Sequence, residues 1–143
     1  MLAAGLTAEV MKVCVSLRLI TRVELWGVEV MSNQKVKIDD YSFELSNLDK
    51  IIWPQEGYTK GDMIKYYTEI APFILKHLQN RPMVFTRYPD GIEGKHFYQK
   101  NAPRYLPDWI NTFNWYSQES MRNIRFILAE EKATLAWLAN QAC

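Results

Sequence analysis

The segment from Thr59 to Asn80 is the sequence feature that most constrains the fold of this chain. Thr59 and Asp62 have the spacing of a capping box, in which a hydroxyl and a carboxylate satisfy backbone N–H groups at the start of a helix. Apolar side chains then recur every three or four residues, at Met63, Tyr66, Tyr67, Ile70, Ile74 and Leu78. This periodicity predicts a long amphipathic helix. Pro72 lies inside it and should kink or split it.

The segments on either side of this helix have the patterns of short strands. Alternating apolar side chains from Val36 to Leu45 predict a strand with a break at the adjacent aspartates. The next segment, Leu48 to Trp53, is interpreted as a short helical turn that Pro54 closes. After the long helix we predict a hairpin of residues 83–88 and 96–100, two further strands at 112–116 and 124–129, and a helix from about Glu131. The fold class predicted is α+β.

Composition and charge favour one globular domain that does not contact a membrane. Of the 143 residues, 48% are hydrophobic and 23% are charged. The most apolar stretch, Val10 to Val30, is interrupted by five charged side chains, so it resembles neither a membrane span nor a secretory signal. The two cysteines, Cys14 and Cys143, are expected to be reduced thiols. We therefore expect a cytoplasmic protein.

The chain divides near Met31. Residues 1–30 are rich in Val, Leu and Ile without a clear period, whereas Met31 opens a polar stretch that is typical of a protein N-terminus. We predict that 1–30 is an unassigned extension, which is either the product of a misplaced start or an appendage outside the domain, and that 31–143 is the domain.

Motifs for catalysis and metal binding are missing from the sequence. The chain has no D-x-D pair, no glycine-rich phosphate loop and no C-x-x-C, and it has two histidines. Asp39 and Asp40 are adjacent and would point to opposite faces of a strand. Glu130 and Glu131 are explained by the dipole at a helix start. We therefore assign no catalytic residue and no metal ligand.

A local excess of positive charge is the remaining functional signal. Between Ser46 and Arg104 there are nine basic and six acidic side chains, and several of the basic ones lie beside aromatic residues. This arrangement suits a surface that stacks bases and holds phosphates. Aromatic side chains in the core and solvated lysines would explain the same pattern.

A series of motifs resembles a known family. The motifs are Glu44-Leu45-Ser46-Asn47-Leu48-Asp49-Lys50, Trp53-Pro54, Gly57-Tyr58-Thr59-Lys60-Gly61-Asp62, Arg87-Tyr88-Pro89-Asp90-Gly91, Phe97-Tyr98-Gln99-Lys100 and Ala133-Thr134-Leu135-Ala136-Trp137-Leu138-Ala139-Asn140. Together they resemble the opening of the primase-polymerase domain of bacterial ATP-dependent DNA ligase D, which works in non-homologous end joining. The resemblance implies a mixed or antiparallel sheet with flanking helices.

The resemblance also implies two groups of binding residues. The first is a pocket for the 5′-phosphate at a DNA break, formed by Asn47, Lys50 and Lys60. A lysine ammonium at the start of a helix is repelled by the positive end of the helix dipole. An anion-binding role therefore explains Lys60 better than solvation does. The second group is a DNA template surface of basic and aromatic side chains, formed by Arg87, Phe97, Tyr98 and Lys100.

The catalytic centre of the family lies beyond the last motif matched. There, a histidine-bearing strand, a D-x-D strand and a further aspartate hold two divalent ions, Mn or Mg, and a nucleoside triphosphate. This chain stops at Cys143, so we expect a domain truncated before its catalytic strands, without a cofactor of its own and inactive as a polymerase alone. An uncovered sheet edge would then favour self-association.

The function predicted is the DNA-end and template-binding part of a DNA repair primase-polymerase. The partners implied by the resemblance are double-strand-break ends, a ligase module and Ku. Two alternatives are a break-binding module without catalysis and a decayed or frameshifted fragment without activity.

Overall fold

The computed structural model describes residues 33–142, which belong to one compact unit, Ser32–Cys143. The prediction about residues 1–30 lies outside the described residues. Within them the helices are α1 (Lys60–Leu78) and α2 (Lys132–Asn140). The strands are β1 (Asn33–Ile38), β2 (Tyr41–Ser46), β3 (Ile51–Trp53), β4 (Tyr58–Thr59), β5 (Pro82–Met83), β6 (Phe85–Arg87), β7 (Phe97–Gln99), β8 (Thr112–Ser117) and β9 (Arg122–Leu128).

Strands β1 and β2 form an antiparallel hairpin with the break that the sequence predicts. Ile38 pairs with Tyr41, so the two aspartates form the turn, and Asp39 takes the left-handed conformation at φ 54°. Aspartate tolerates this conformation better than most residues do. The alternation places Phe43 and Leu45 in the core.

The prediction of a helical turn before Pro54 is wrong. Residues 51–53 instead form β3, which pairs antiparallel with β4. The residue before a proline is pushed out of the helical region, and the β-branched Ile51 and Ile52 favour extended backbone. These local preferences favour a strand over a helical turn. Ile52 is buried as a result.

Helix α1 begins as predicted, with both hydrogen bonds of the capping box present. Asp62 N–H donates to Thr59 Oγ1 at 3.2 Å, and Thr59 N–H donates to Asp62 Oδ2 at 2.9 Å. The helix runs through Pro72 as one element, so the expected split does not occur. Packing of Ala71, Ile74 and Leu75 against the core keeps the two halves in one helix.

The remaining strands form a three-stranded sheet and a separate hairpin. In the sheet, of order β5-β9-β8, all neighbours are antiparallel. The hairpin pairs β6 with β7, with Arg87 opposite Phe97. The single strand predicted at residues 83–88 is therefore two strands that belong to different sheets, with Val84 between them. The other strand predictions in this region are confirmed.

Helix α2 forms the centre of the core. Every residue from Ala133 to Asn140 is buried, and the helix packs against α1 and β2. The architecture is the predicted α+β fold, with small antiparallel sheets and flanking helices. Neither helix of residues 33–142 is both long enough and apolar enough to cross a membrane.

Candidate functional site

Backbone hydrogen bonds bring the β2–β3 turn onto the start of α1. Asn47, which follows β2, takes the left-handed conformation at φ 51°, and its carbonyl accepts from Lys50 N–H at 3.1 Å. The carbonyl of Lys50 in turn accepts from Lys60 N–H at 2.8 Å. The three residues predicted to bind a 5′-phosphate are thus brought together by the backbone.

Gly61 allows this close approach. Its N–H donates to the carbonyl of Leu48 at 2.9 Å. A Cβ atom at this position would lie 3.3 Å from the same carbonyl oxygen, which is tighter than about nine in ten such contacts. A side chain at position 61 would therefore push the turn away from the helix.

The Lys60 ammonium is buried without a compensating carboxylate. The residue is 5% exposed, and its Nζ donates to Ser46 Oγ at 3.3 Å. It forms no ion pair with any carboxylate of residues 33–142. Burial lowers the pKa of Lys60 most, and the positive charges of Lys50 and Arg87 lower it further, to about 8. A buried positive charge of this kind attracts an anion.

The Lys50 ammonium is held by the segment that follows β6. Its Nζ donates to the carbonyl of Pro89 and lies 3.9 Å from the carboxylate of Asp90. Gly91, at φ 89°, lets this segment turn against β3, where Ile92 N–H donates to the carbonyl of Ile52 at 2.9 Å. Lys50 is therefore positioned beside Lys60 and partly neutralised.

The β6–β7 hairpin carries the residues predicted to contact a DNA template. The Arg87 guanidinium carbon lies 5.6 Å from the centroid of the Phe97 ring. Tyr98 occupies the opposite face, because successive side chains of a strand alternate. Its ring meets His96 edge-on at 6.4 Å, and His96 packs against Tyr88 at 5.3 Å. Phe97 and Tyr98 are exposed, but they do not form one continuous stack.

Comparison with known proteins identifies the family of this chain. The family profile described as LigD, primase-polymerase domain, matches residues 59–143. This chain belongs to the LigD primase-polymerase family. The profile includes α1, both strands of the hairpin and α2, and it begins at the capping threonine Thr59.

Relatives in the LigD family are named for non-homologous end joining. The bifunctional LigD protein of Bacillus subtilis is 39% identical over 98 residues, which are 68% of this chain and 15% of that protein. The multifunctional DNA repair protein LigD of Mycobacterium tuberculosis is 31% identical over 98 residues, which are 68% of this chain and 13% of that protein. The chain therefore spans a small part of the length of these relatives.

A solved LigD structure has the same fold. The polymerase domain from Mycobacterium tuberculosis ligase D, in complex with DNA, superposes with a TM-score of 0.65 at 30% identity. The match covers 68% of this chain and 33% of that chain.

Within the LigD fold, the predicted residues fall into two neighbouring groups. The positive charges of Lys50 and Arg87 both lower the pKa of Lys60, so the cation of the hairpin acts on the pocket. Lys100 follows β7, is exposed and forms no ion pair within residues 33–142. The same residues contain no group of three or more His, Cys, Asp or Glu side chains that could hold a metal ion. They do not fit a two-metal centre.

Sequence reasoning missed the role of Asn140 in the candidate site. Its Oδ1 accepts from Ser46 N–H at 3.1 Å, and its Nδ2 donates to the carbonyl of Glu44 at 3.0 Å. These bonds fix the end of β2, where Ser46 contacts Lys60. A single amide among the apolar residues at the end of α2 is the signal that could have found it, because buried polar groups require partners.

Proposed function

We propose that this chain is the DNA-end recognition part of a LigD-type primase-polymerase that acts in non-homologous end joining. Asn47, Lys50 and Lys60 bind the 5′-phosphate at a double-strand break. The DNA template contacts Phe97 and Tyr98 of the hairpin and the adjacent Lys100. Arg87 belongs to the same surface by resemblance to the family. The observation that carries this proposal is the buried Lys60 ammonium, which has no carboxylate partner within residues 33–142.

A terminal phosphate fits this pocket electrostatically. It carries a charge of about −1.5 to −2 near neutral pH and offers several acceptor oxygens. It would compensate the desolvation of Lys60 and the repulsion from Lys50, and both effects lower the pKa of Lys60. An internal phosphate carries a single negative charge, so the pocket favours an end over continuous DNA.

The proposed role does not include catalysis by this chain alone. The sequence has no D-x-D pair, and residues 33–142 do not fit a two-metal centre. In the complete domain, Mn or Mg ions and a nucleoside triphosphate would supply the chemistry of nucleotide addition. A ligase module and Ku are the protein partners that we propose, and double-strand-break ends are the substrate.

Binding to a gapped duplex tests the proposal. Fluorescence anisotropy would compare a 5′-phosphate with a 5′-hydroxyl at the gap. We expect the phosphate to bind more tightly by about 1–3 kcal/mol, as charge-assisted hydrogen bonds do. The preference should disappear in Lys60→Met and persist in Lys76→Met, which makes the same change at an exposed position of α1. Equal binding of the two duplexes by folded wild-type protein would overturn the proposal.

A further inference from the structure

The Arg87 side chain is almost fully engaged within the protein. Its Nε donates to the carbonyl of Gln141 at 2.9 Å, and Nη2 donates to Gln141 Oε1 at 3.4 Å. Nη1 donates to Gln99 Oε1 at 3.2 Å and to Tyr105 Oη at 3.3 Å. Four of the five N–H groups of the guanidinium are therefore used by protein acceptors.

The acceptors are themselves connected. Tyr105 Oη donates to Gln141 Oε1 at 3.1 Å, which closes a ring of hydrogen bonds with Arg87. Gln99, on β7, donates through Nε2 to the carbonyl of Asn101 at 3.1 Å. Next to Arg87, Tyr88 N–H donates to the carbonyl of Ala142 at 2.8 Å. The network therefore joins the β6–β7 hairpin to the residues that follow α2.

The Phe97 ring lies against the same guanidinium. The distance from the guanidinium carbon to the ring centroid is 5.6 Å, within the range of a cation–π contact. The Phe97 residue is 47% exposed, so part of the ring remains open to a ligand. An aromatic side chain held on one side in this way is oriented before a nucleobase arrives.

We infer that Arg87 is a positioning residue that holds the hairpin on the end of α2 and orients Phe97 for the template, and that Arg87 itself does not bind DNA. This inference rests on the proposed function of the hairpin as a template surface. According to this inference, Arg87 acts on the template surface indirectly. It supports Phe97, and Phe97 makes the contact with the template.

Substitution by lysine separates the two roles. A phosphate contact needs a positive charge, which lysine retains. The ring of hydrogen bonds needs the planar fork of a guanidinium, which a single ammonium cannot reproduce. The positioning role therefore predicts that Arg87→Lys weakens template binding although the net charge is unchanged.

The test uses the full chain and a gapped 5′-phosphate duplex with 2-aminopurine in the template strand opposite the gap. Its fluorescence reports stacking, and anisotropy over a series of salt concentrations reports affinity. The variants are Arg87→Lys, Tyr105→Phe, their double mutant and Lys100→Gln. Tyr105 is 60% exposed, so its substitution removes one hydroxyl without disturbing the core.

We expect Arg87→Lys to weaken binding about tenfold and to reduce stacking of the template base. The slope of affinity against salt should stay at the wild-type value. Tyr105→Phe should weaken binding in the same direction by a smaller factor, and the double mutant should bind no more weakly than Arg87→Lys, because the two residues act through one network. Lys100→Gln, as a direct phosphate contact, should instead reduce the salt slope by about one.

Three results would overturn the inference. The first is wild-type binding by Arg87→Lys, because lysine keeps the charge and cannot reproduce the ring of hydrogen bonds. The second is independent, multiplicative effects of Arg87→Lys and Tyr105→Phe. The third is unchanged template stacking in Tyr105→Phe.

Failure of the proposed function would be seen separately, as wild-type protein that does not distinguish a 5′-phosphate from a 5′-hydroxyl. Tryptophan emission and thermal unfolding would establish that each variant is folded.

Discussion

The backbone carbonyl of Lys50 accepts a hydrogen bond from the backbone N–H of Lys60, with 2.8 Å between oxygen and nitrogen. The bond fixes two lysines near each other by main-chain geometry, although their like charges repel. Burial and the neighbouring cations both disfavour the charged form of Lys60 and lower its pKa to about 8. A bound anion would therefore offset both the burial of the Lys60 charge and its repulsion by the neighbouring cations.

Replacing Lys60 should improve stability and remove end recognition. Lys60→Met keeps most of the side-chain volume and eliminates the buried charge. We expect the free energy of unfolding to rise on the order of 1–3 kcal/mol, as the lowered pKa implies. Urea unfolding measures this change, and gapped-duplex binding measures the loss of 5′-phosphate preference. A destabilised variant would contradict the description of Lys60 as an uncompensated buried charge.

The same group predicts the pH dependence of stability and binding. The pKa of Lys60 is about 8 in the folded chain and 10.5 in the unfolded chain. Between these values the unfolded chain binds more protons, so the free energy of unfolding should rise with pH from about 8 to about 10.5. Binding of a 5′-phosphate favours the protonated lysine, so the preference for it should decline above about pH 8. Comparison with Lys60→Met at each pH isolates this contribution, which should be missing from the variant.

Asp90 competes with the ligand for Lys50. Its carboxylate lies 3.9 Å from the Lys50 ammonium, and both groups are substantially exposed. Asp90→Asn should therefore tighten binding of the 5′-phosphate duplex modestly, by at most about 1 kcal/mol at low salt. Glu93→Gln, which changes an exposed carboxylate later in the same loop, serves as the control. Weaker binding by Asp90→Asn would show that the carboxylate positions Lys50 instead.

The two aromatic residues of the hairpin should contribute independently to template binding. Phe97 and Tyr98 lie on opposite faces of β7, so they do not share a base. Phe97→Leu and Tyr98→Leu should each weaken binding to a gapped duplex by about 1–3 kcal/mol. Their effects should add in the double mutant. A strongly non-additive result would show that both rings act on one nucleotide.

Asn140 should affect both the free energy of unfolding and the binding of a 5′-phosphate in the pocket. Asn140→Ala removes the partners of Ser46 N–H and of the Glu44 carbonyl. We expect a loss of about 1–3 kcal/mol in the free energy of unfolding, together with weaker 5′-phosphate binding. Asn111→Ala removes an exposed hydrogen bond to Glu130 and should have a much smaller effect on both measurements. Equal effects of the two substitutions would argue against this link.

Elements with local causes could be predicted from the sequence, whereas bonds between distant segments could not. The capping box of Thr59 and Asp62 lies within one turn, and its hydrogen bonds form as predicted. The strand at Ile51 depends on pairing with β4, which local sequence does not specify, although Pro54 and the β-branched residues before it favour extended backbone. The opposite faces of Phe97 and Tyr98 follow from strand alternation, so they could have been predicted. The contact of Arg87 with Gln141 depends on how the hairpin and α2 pack, and no local pattern indicates it.

The hydrogen bonds that Asn140 makes have a consequence for folding kinetics. They span 94 and 96 residues, and the bonds from Arg87 to Gln141 span 54. Closing such long loops has a large entropic cost before the contacts compensate it, and folds with contacts of this kind form slowly. The turn of Asn47 and Lys50 can therefore form early from neighbouring residues. It becomes a pocket of fixed shape only when α2 docks, so a kinetic probe at Lys60 should report one of the last events of folding.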